Sequence, residues 1–194
     1  LVVGRRPPAR TLEEVLSDAG PRSATGPLRV VILPEVTKPE NLGLVFRSAA
    51  AFGIDAVILG PRSCDPLSRR ALRVSMGGVL TVPFIRSADL RSDLSRLKDS
   101  WGLELAAAVL ESDARPLADA PWSPRSGVIL GNEFDGVSAD WLSLCERRLT
   151  IPMQPHTDSL NLGVAAGIFL YEMTSQRRTD GIGAYEGRLR RPAK

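Results

Sequence analysis

Residues that build disulfide frameworks and metal centres are scarce in this sequence. It has two cysteines, Cys64 and Cys145, and one histidine, His156, among 194 residues. The cysteines stand far apart and have no partners at metal-ligand spacing, so we expect neither a disulfide scaffold nor a zinc site. The sequence therefore predicts a metal-free protein of a reducing, cytoplasmic compartment.

Membrane segments and secretion signals are also missing from the sequence. No stretch is apolar for long enough to span a bilayer, and no signal peptide is visible. The composition is 43% hydrophobic and 24% charged, which is typical of one compact domain with a sizeable core. We expect no membrane partner.

Common nucleotide-binding and hydrolase motifs do not occur either. The turn after the first apolar run has no Gly-x-Gly-x-x-Gly, and the chain carries no P-loop and no Gly-x-Ser-x-Gly elbow. Dehydrogenases, P-loop NTPases, α/β-hydrolases and Rossmann-type methyltransferases are therefore disfavoured. His156, Asp158 and Ser159 contain the atoms of a hydrolytic triad, but they are crowded into one loop. A hydrolase that uses Ser159 is kept as an alternative from another class.

What the sequence does contain is an alternation of short apolar runs and helical patterns. Mostly apolar runs predict strands at residues 28–33, 56–59, 79–84, 103–110, 127–130 and 148–151. Apolar spacing predicts helices at residues 40–52, 88–101 and 159–173. Such runs suit strands that are covered on both faces. The sequence thus predicts an α/β fold, with a mostly parallel sheet and helices on both faces.

Capping residues mark where three helices would begin. Thr11 and Glu14 form a capping box ahead of a short helix near the start of the sequence. Ser87 and Ser159 are candidate N-caps of the helices predicted at residues 88–101 and 159–173.

Composition divides the chain into three segments. Residues 1–27 are rich in Pro, Arg and Gly and suit a linker or the remnant of a substrate-binding domain. Residues 28–175 hold the alternating pattern, and residues 176–194 suit a basic, flexible tail. The formal net charge is +3, and a cluster of arginines suits either phosphate contacts or a solvated surface: Arg62, Arg69, Arg70 and Arg73.

Polar residues interrupt the apolar pattern at two strand or helix ends. Asn41 and Arg47 stand on or beside an otherwise apolar helix, where an inward arginine requires an anion and an outward one is an ordinary surface residue. Gly131, Glu133 and Gly136 follow the strand predicted at residues 127–130. Open α/β sheets bind ligands beyond such carboxyl ends, although an ordinary strand-to-helix turn can carry the same residues.

A third polar segment follows the last predicted strand. Ile151-Pro152-Met153 is followed by Ser159-Leu160-Asn161 and then by an apolar helix rich in small residues. Ser159 can serve as a simple N-cap. Asn161 is harder to explain in this way, because it would fall inside the first helical turn.

Together the three segments resemble the SpoU/TrmH branch of the SPOUT methyltransferases, which are RNA 2′-O-ribose methyltransferases. The Asn41–Arg47 spacing, the Gly-x-Glu of residues 131–133 and the Ile-Pro-Met and Ser-Leu-Asn pair occur in the family's order over roughly residues 28–173. Residues 73–78 are also similar to a family segment. The sequence departs from the family at residues 162–164, where Leu-Gly-Val replaces the usual Val-Ser-Val.

The resemblance implies a SPOUT catalytic domain at residues 28–175, with a C-terminal trefoil knot that ordinary topology rules would not propose. It implies a cytoplasmic homodimer that uses S-adenosyl-L-methionine, releases S-adenosyl-L-homocysteine, requires no metal and acts on tRNA or rRNA. Implied cofactor contacts are Leu130, Gly131, Ile151, Pro152, Met153 and Leu160. Implied catalytic residues are Arg47, Asn41, Glu133, Ser159 and Asn161.

For Arg47 the resemblance implies a central catalytic role. A free guanidinium stays protonated, so we expect Arg47 to hold the phosphate beside the target ribose and to stabilise the developing alkoxide. Family dimers build each site from both chains, so Arg47 is expected to serve a partner's cofactor. The runner-up is a catalytically idle RNA-binding or cofactor-sensing module of the same fold.

Overall fold

The structure is a computed structural model, and it describes Arg5, Arg6, Pro8 and residues 10–18, 26–155, 157 and 159–175. The predicted tail at residues 176–194 lies outside the described residues, as do His156 and Asp158. In the described part, no helix is both long enough and apolar enough to cross a membrane.

The described elements follow the predicted alternation of strands and helices. The helices are α1 Leu12–Asp18, α2 Pro39–Phe52, α3 Arg69–Val74, α4 Gly78–Thr81, α5 Leu90–Asp99, α6 Ala139–Leu142 and α7 Leu162–Ser175, with a 3-10 turn at Leu117–Asp119. The strands are β1 Leu28–Leu33, β2 Ala56–Leu59, β3 Phe84–Arg86, β4 Glu104–Ala108, β5 Arg115–Pro116, β6 Arg125–Leu130 and β7 Arg147–Thr150.

The seven strands of the described residues form one sheet in the order β3-β2-β1-β6-β4-β7-β5. Every neighbouring pair is parallel. Pro116 sits in β5, at an edge of the sheet, where a residue without an N–H donor is tolerated. Because β1, β6, β4 and β7 are adjacent and parallel, the loops that leave their carboxyl ends lie close together on one side of the sheet.

Helices cover both faces of the sheet, as the apolar strands predicted. Alternate residues of β1 point to opposite sides, so Val31 and Leu33 pack with α2 and α7 while Val30 and Ile32 pack with α1 and α5. The two layers are separate apolar cores on either side of a buried sheet. The α/β prediction is therefore confirmed, and the trefoil knot stays a prediction.

The capping box near the start of the sequence is formed. Glu14 accepts a hydrogen bond from the Thr11 backbone N–H at 2.8 Å, and the Thr11 hydroxyl accepts one from the Glu14 N–H at 3.2 Å. The helix that follows buries Leu12, Val15 and Leu16 against the sheet.

Two sequence predictions of local structure are wrong. Residues 79–84 do not form a strand, because Gly77, with φ of 87°, starts helix α4, and β3 begins only at Phe84. A short apolar run does not distinguish these two structures. Ser87 does not cap α5: the Asp89 carboxylate accepts the Ser92 N–H at 3.1 Å, and the helix begins at Leu90.

Candidate functional site

A cavity of about 510 Å³ lies at the carboxyl edge of the sheet. Its volume is in the range of small-molecule sites. Nine of the eleven predicted site residues line it: Asn41, Leu130, Gly131, Glu133, Ile151, Met153, Ser159, Leu160 and Asn161. The exceptions are Pro152, which is exposed, and Arg47. Parallel pairing thus brings the three polar segments of the sequence together.

Three of these side chains form a hydrogen-bonded relay in the cavity. The Asn161 Nδ2 donates to Asn41 Oδ1 at 2.9 Å, and the Asn41 Nδ2 donates to Glu133 Oε1 at 2.6 Å. Asn41 is only 3% exposed, so its amide is fixed in this orientation. Each bond polarises the next, and the carboxylate at the end makes the relay charge-assisted.

The second carboxylate oxygen of Glu133 has no hydrogen-bond partner among the described residues. Glu133 Oε2 is buried from solvent and accepts no donor there. A buried carboxylate oxygen without a donor is costly. The arrangement therefore fits a ligand that brings a donor or a positive charge into the cavity.

Asn161 caps helix α7, although the sequence offered Ser159 as the candidate cap and Asn161 was harder to explain in this way. The Asn161 Oδ1 accepts the Gly163 N–H at 2.9 Å and the Val164 N–H at 3.4 Å, and the helix begins at Leu162. Ser159 lies two residues before the cap and lines the cavity. The assignment of Ser159 as N-cap is wrong because the chain stays non-helical for three residues longer than predicted. One amide of Asn161 thus starts the helix and joins the relay.

A tight loop after β6 holds Glu133 in place. The Asn132 and Gly136 backbones exchange two hydrogen bonds, at 3.2 and 3.3 Å, and Gly136 has φ of 69°. A Cβ on Gly131 would lie 1.9 Å from the Gly136 carbonyl carbon, so no other residue fits there without moving the loop. The two glycines of the sequence pattern therefore serve this close backbone contact.

The apolar walls of the cavity come partly from residues that sequence reasoning missed. Ala108, Val109 and Leu110 line it at the end of β4. This strand was predicted, but nothing in the sequence placed it between β6 and β7. From α7, Ala165 and Phe169 complete the wall. Ala165 and Phe169 follow Asn161 at helical spacing, which could have placed them on the same side of the helix as the predicted site.

Arg47 lies outside the cavity. It is exposed on α2, in a shallow depression formed with Leu44, Ser48, Phe52 and Val164. It follows Asn41 by six residues, which is about 9 Å along a helix axis and a different face. Of the two positions that the sequence left open for Arg47, inward or outward, the structure shows the outward one.

The surface beside Arg47 carries an exposed apolar stripe along α7. Val164, Ile168 and Tyr171 are 49%, 36% and 48% exposed and recur at helical spacing. The Tyr171 ring contacts the Phe52 ring edge-on at 5.9 Å, so the stripe is continuous with α2.

Helices α2 and α7 approach closely at Gly163. A Cβ on Gly163 would lie 2.5 Å from the Leu44 Cβ. Gly163 stands where the family usually has serine, and its lack of a side chain leaves room for Leu44 on the facing helix.

Two of the four clustered arginines are held by carboxylates. Arg62 pairs with Glu35 at 2.6 Å and Arg70 pairs with Glu40 at 2.8 Å. The pKa of Glu40 is lowered by its own backbone N–H, and the Arg70 guanidinium also lowers it. The other two arginines of the cluster are exposed on α3: Arg69 and Arg73.

The cysteines are poorly suited to nucleophilic chemistry. Burial raises the pKa of the Cys64 thiol, and the charge of Glu133 raises it further. Burial also raises the pKa of Cys145 to about 12. Among the described residues, no group of three or more His, Cys, Asp or Glu side chains could hold a metal ion.

Comparison with known proteins identifies relatives of this chain. The profile described as the SpoU rRNA Methylase family matches residues 28–171. A Mycobacterium bovis protein named as an uncharacterized tRNA/rRNA methyltransferase is 39% identical over 186 residues, which is 94% of this chain and 62% of that protein. The 23S rRNA (guanosine-2′-O-)-methyltransferase RlmB of Acinetobacter baylyi is 34% identical over 76% of this chain and 60% of its own length.

A solved structure shows the same fold. The SpoU methyltransferase AviRb of Streptomyces viridochromogenes, in complex with AdoMet, aligns with a TM-score of 0.75 and 28% identity over 89% of this chain and 66% of its own. The chain spans about three fifths of the length of the two curated relatives.

Proposed function

The chain belongs to the SpoU rRNA methylase family, and from that premise we propose that it transfers a methyl group from S-adenosylmethionine to a ribose 2′-hydroxyl of RNA. The observation that carries the proposal is the Asn161–Asn41–Glu133 relay in an apolar-walled cavity of about 510 Å³, with one carboxylate oxygen that lacks a donor. The resemblance to A. baylyi RlmB, named as a 2′-O-methyltransferase, supports the choice of the ribose hydroxyl.

The cavity residues fit the proposed cofactor. Leu130, Ile151, Met153 and Leu160 offer apolar contacts, and their backbone groups, with that of Gly131, can hydrogen-bond an adenosine. When bound, S-adenosylmethionine supplies an electrophilic methyl group on a sulfonium. The unpaired Glu133 oxygen is available for a donor or positive charge of a bound group.

Two tasks are left for the chain's polar residues. The ribose hydroxyl must be held in line for transfer, and such positioning is worth roughly 7–11 kcal/mol in favourable cases. Asn41 and Asn161 are fixed by their own hydrogen bonds, so they can present preorganised groups at the cavity, and Ser159 adds a hydroxyl on its wall. As the methyl carbon leaves the sulfonium sulfur and bonds to the hydroxyl oxygen, the hydroxyl proton passes to water. Stabilising the charge that develops on that oxygen is the role that we assign to Arg47.

We further propose that Arg47 acts at the cavity of a second copy of the chain. Its exposed position beside Val164, outside its own cavity, supports this assignment. The exposed stripe of Val164, Ile168 and Tyr171 offers an apolar surface that a two-fold dimer would cover. A guanidinium can hold the phosphate next to the target ribose with paired hydrogen bonds.

The proposal is tested by incubating the chain with methyl-labelled S-adenosylmethionine and unmodified transcripts of rRNA and tRNA. A 2′-O-methyl group blocks cleavage of the adjacent phosphodiester by alkali, so the label should be recovered in alkali-stable dinucleotides. Label in mononucleotides would mean that a base is methylated. Binding of cofactor and RNA without transfer would favour an idle module of the same fold.

A further inference from the structure

The mouth of the cavity carries an aromatic side chain that faces solvent. Phe134 lines the cavity, yet it is 78% exposed. Its position is set by the backbone, because the Asn132 Oδ1 accepts the Phe134 N–H at 2.8 Å and the Asp135 N–H at 2.7 Å. These bonds fix the Phe134 backbone in the loop that also carries Glu133, and the ring faces solvent.

A lysine from another element meets this ring. The Lys38 Nζ lies 5.4 Å from the ring centroid of Phe134, within the range of a cation–π contact. Lys38 immediately precedes α2, and it also lines the cavity. Two segments that are distant in sequence thus bring an ammonium and an exposed aromatic face to one opening.

We propose that Phe134 and Lys38 form a binding site for an unstacked RNA nucleotide at the cavity mouth. Its base stacks on the free face of the Phe134 ring, and its phosphate contacts the Lys38 ammonium. Aromatic rings that take single bases, beside cations that take the phosphate, are the usual means of holding unpaired RNA. The inference rests on the proposed function and assigns positioning roles to both residues.

The test measures binding of the full chain to two single-stranded RNA oligonucleotides of equal length, one with all its bases and one with abasic nucleotides. Phe134→Ala should weaken binding of the first at least about fivefold and leave the second unchanged, because one base stack is lost. Phe134→Tyr should bind like the original chain. Leu80→Ala, which truncates another exposed apolar side chain outside the cavity, is the matched control.

Lys38→Gln should give a different signature. It should weaken binding of both oligonucleotides and make the slope of log affinity against log salt shallower by about 0.7, which corresponds to one lost phosphate contact on a single strand. Phe134→Ala should leave that slope unchanged.

Three results would overturn the inference. If Phe134→Ala binds the base-bearing RNA within twofold of the original chain, the ring stacks no base, and the proposed function still stands. If Phe134→Ala weakens binding of S-adenosylhomocysteine more than fivefold without RNA, the ring covers the cofactor instead. If the original chain binds neither oligonucleotide at low salt and methylates no transcript, the proposed function fails and the inference fails with it.

Discussion

The start and the middle of helix α2 are built differently. At its start, Asn41 is 3% exposed and is held by hydrogen bonds to Glu133 and Asn161 from two other segments. Two turns later, Arg47 is exposed in a shallow depression beside the apolar stripe of α7. The start of the helix is preorganised within one chain, whereas its middle presents a charge with no enclosed site around it. The difference supports the proposal that the cavity acts within one chain while Arg47 of the same chain acts at a separate place.

The largest effect is expected at Arg47. Arg47→Ala should reduce methyl transfer at least about a hundredfold, the scale for losing a charge contact made in the transition state, and should leave cofactor affinity nearly unchanged. Arg47→Lys should rescue little, because an ammonium lacks the planar fork. Initial rates with saturating cofactor and calorimetry on the same samples measure the two quantities.

The matched control for Arg47 is Arg96→Ala. This arginine is also exposed, pairs with Glu13 and lies on the opposite face of the sheet. Its loss should change neither rate nor affinity. Near-normal turnover by Arg47→Ala on a verified RNA substrate would show that the role assigned to Arg47 is wrong.

A charge placed in the apolar stripe should prevent assembly and reduce methyl transfer but leave cofactor binding in place. Ile168→Asp should give a monomer in light scattering, since a carboxylate would be buried between two copies. Cofactor binding should persist, because the cavity lies within one chain, while methyl transfer should fall by more than tenfold. Ala139→Asp, at an exposed position of α6, should leave the assembly intact. If Ile168→Asp behaves like the original chain in light scattering, the stripe is not the dimer interface.

Loss of the Asn41 amide should lower the free energy of unfolding. Asn41→Ala removes the donor to Glu133 and the acceptor of Asn161, both part-buried, so we expect a loss of about 1–3 kcal/mol in the free energy of unfolding. Cofactor affinity should fall as well. Urea denaturation gives the first quantity, with Ser48→Ala on the same helix as the control. Equal stability of the two variants would mean that the relay contributes nothing to folding.

The smallest effect is expected where α2 and α7 touch. Gly163→Ser would bring a Cβ to 2.5 Å from the Leu44 Cβ, so the helices must shift, at a cost of about 1–2 kcal/mol. Leu44→Ala in the same chain should recover part of that loss, because it removes the Leu44 Cδ1, which would lie 2.7 Å from the new Cβ, while the Leu44 Cβ remains. Additive effects in a double-mutant cycle would show that the contact does not limit the approach of the helices.

Sequence reasoning found most of the sheet and much of the site. The buried strands β1, β2 and β6 were readable because runs of Val, Ile and Leu suit a sheet covered on both faces. The cavity residues were found because their order along the chain resembles a family pattern. Neither source gave the strand order, and therefore the contribution of Val109 and Leu110 to the cavity was missed.

Other features depend on geometry that sequence patterns do not contain. The placement of Ser159 as a cap failed because Asn161, which already served the relay, also satisfies the first N–H groups of α7. The exposure of Arg47 could not be decided either, since an arginine in an apolar helix suits both an inward and an outward position. The structure decides it by placing Leu42, Val45 and Phe46 in the core and Arg47 outside.

Mixing two inactive variants tests most directly whether each site is shared between two chains. Arg47→Ala keeps its cavity, and Glu133→Ala keeps its arginine, so each should be nearly inactive alone. After unfolding and refolding together in equal amounts, half of the dimers should be mixed and carry one intact site. Methyl transfer should then recover to about a quarter of the original rate. No recovery, with mixed dimers verified by mass spectrometry, would show that Arg47 acts within its own chain and would contradict the shared site.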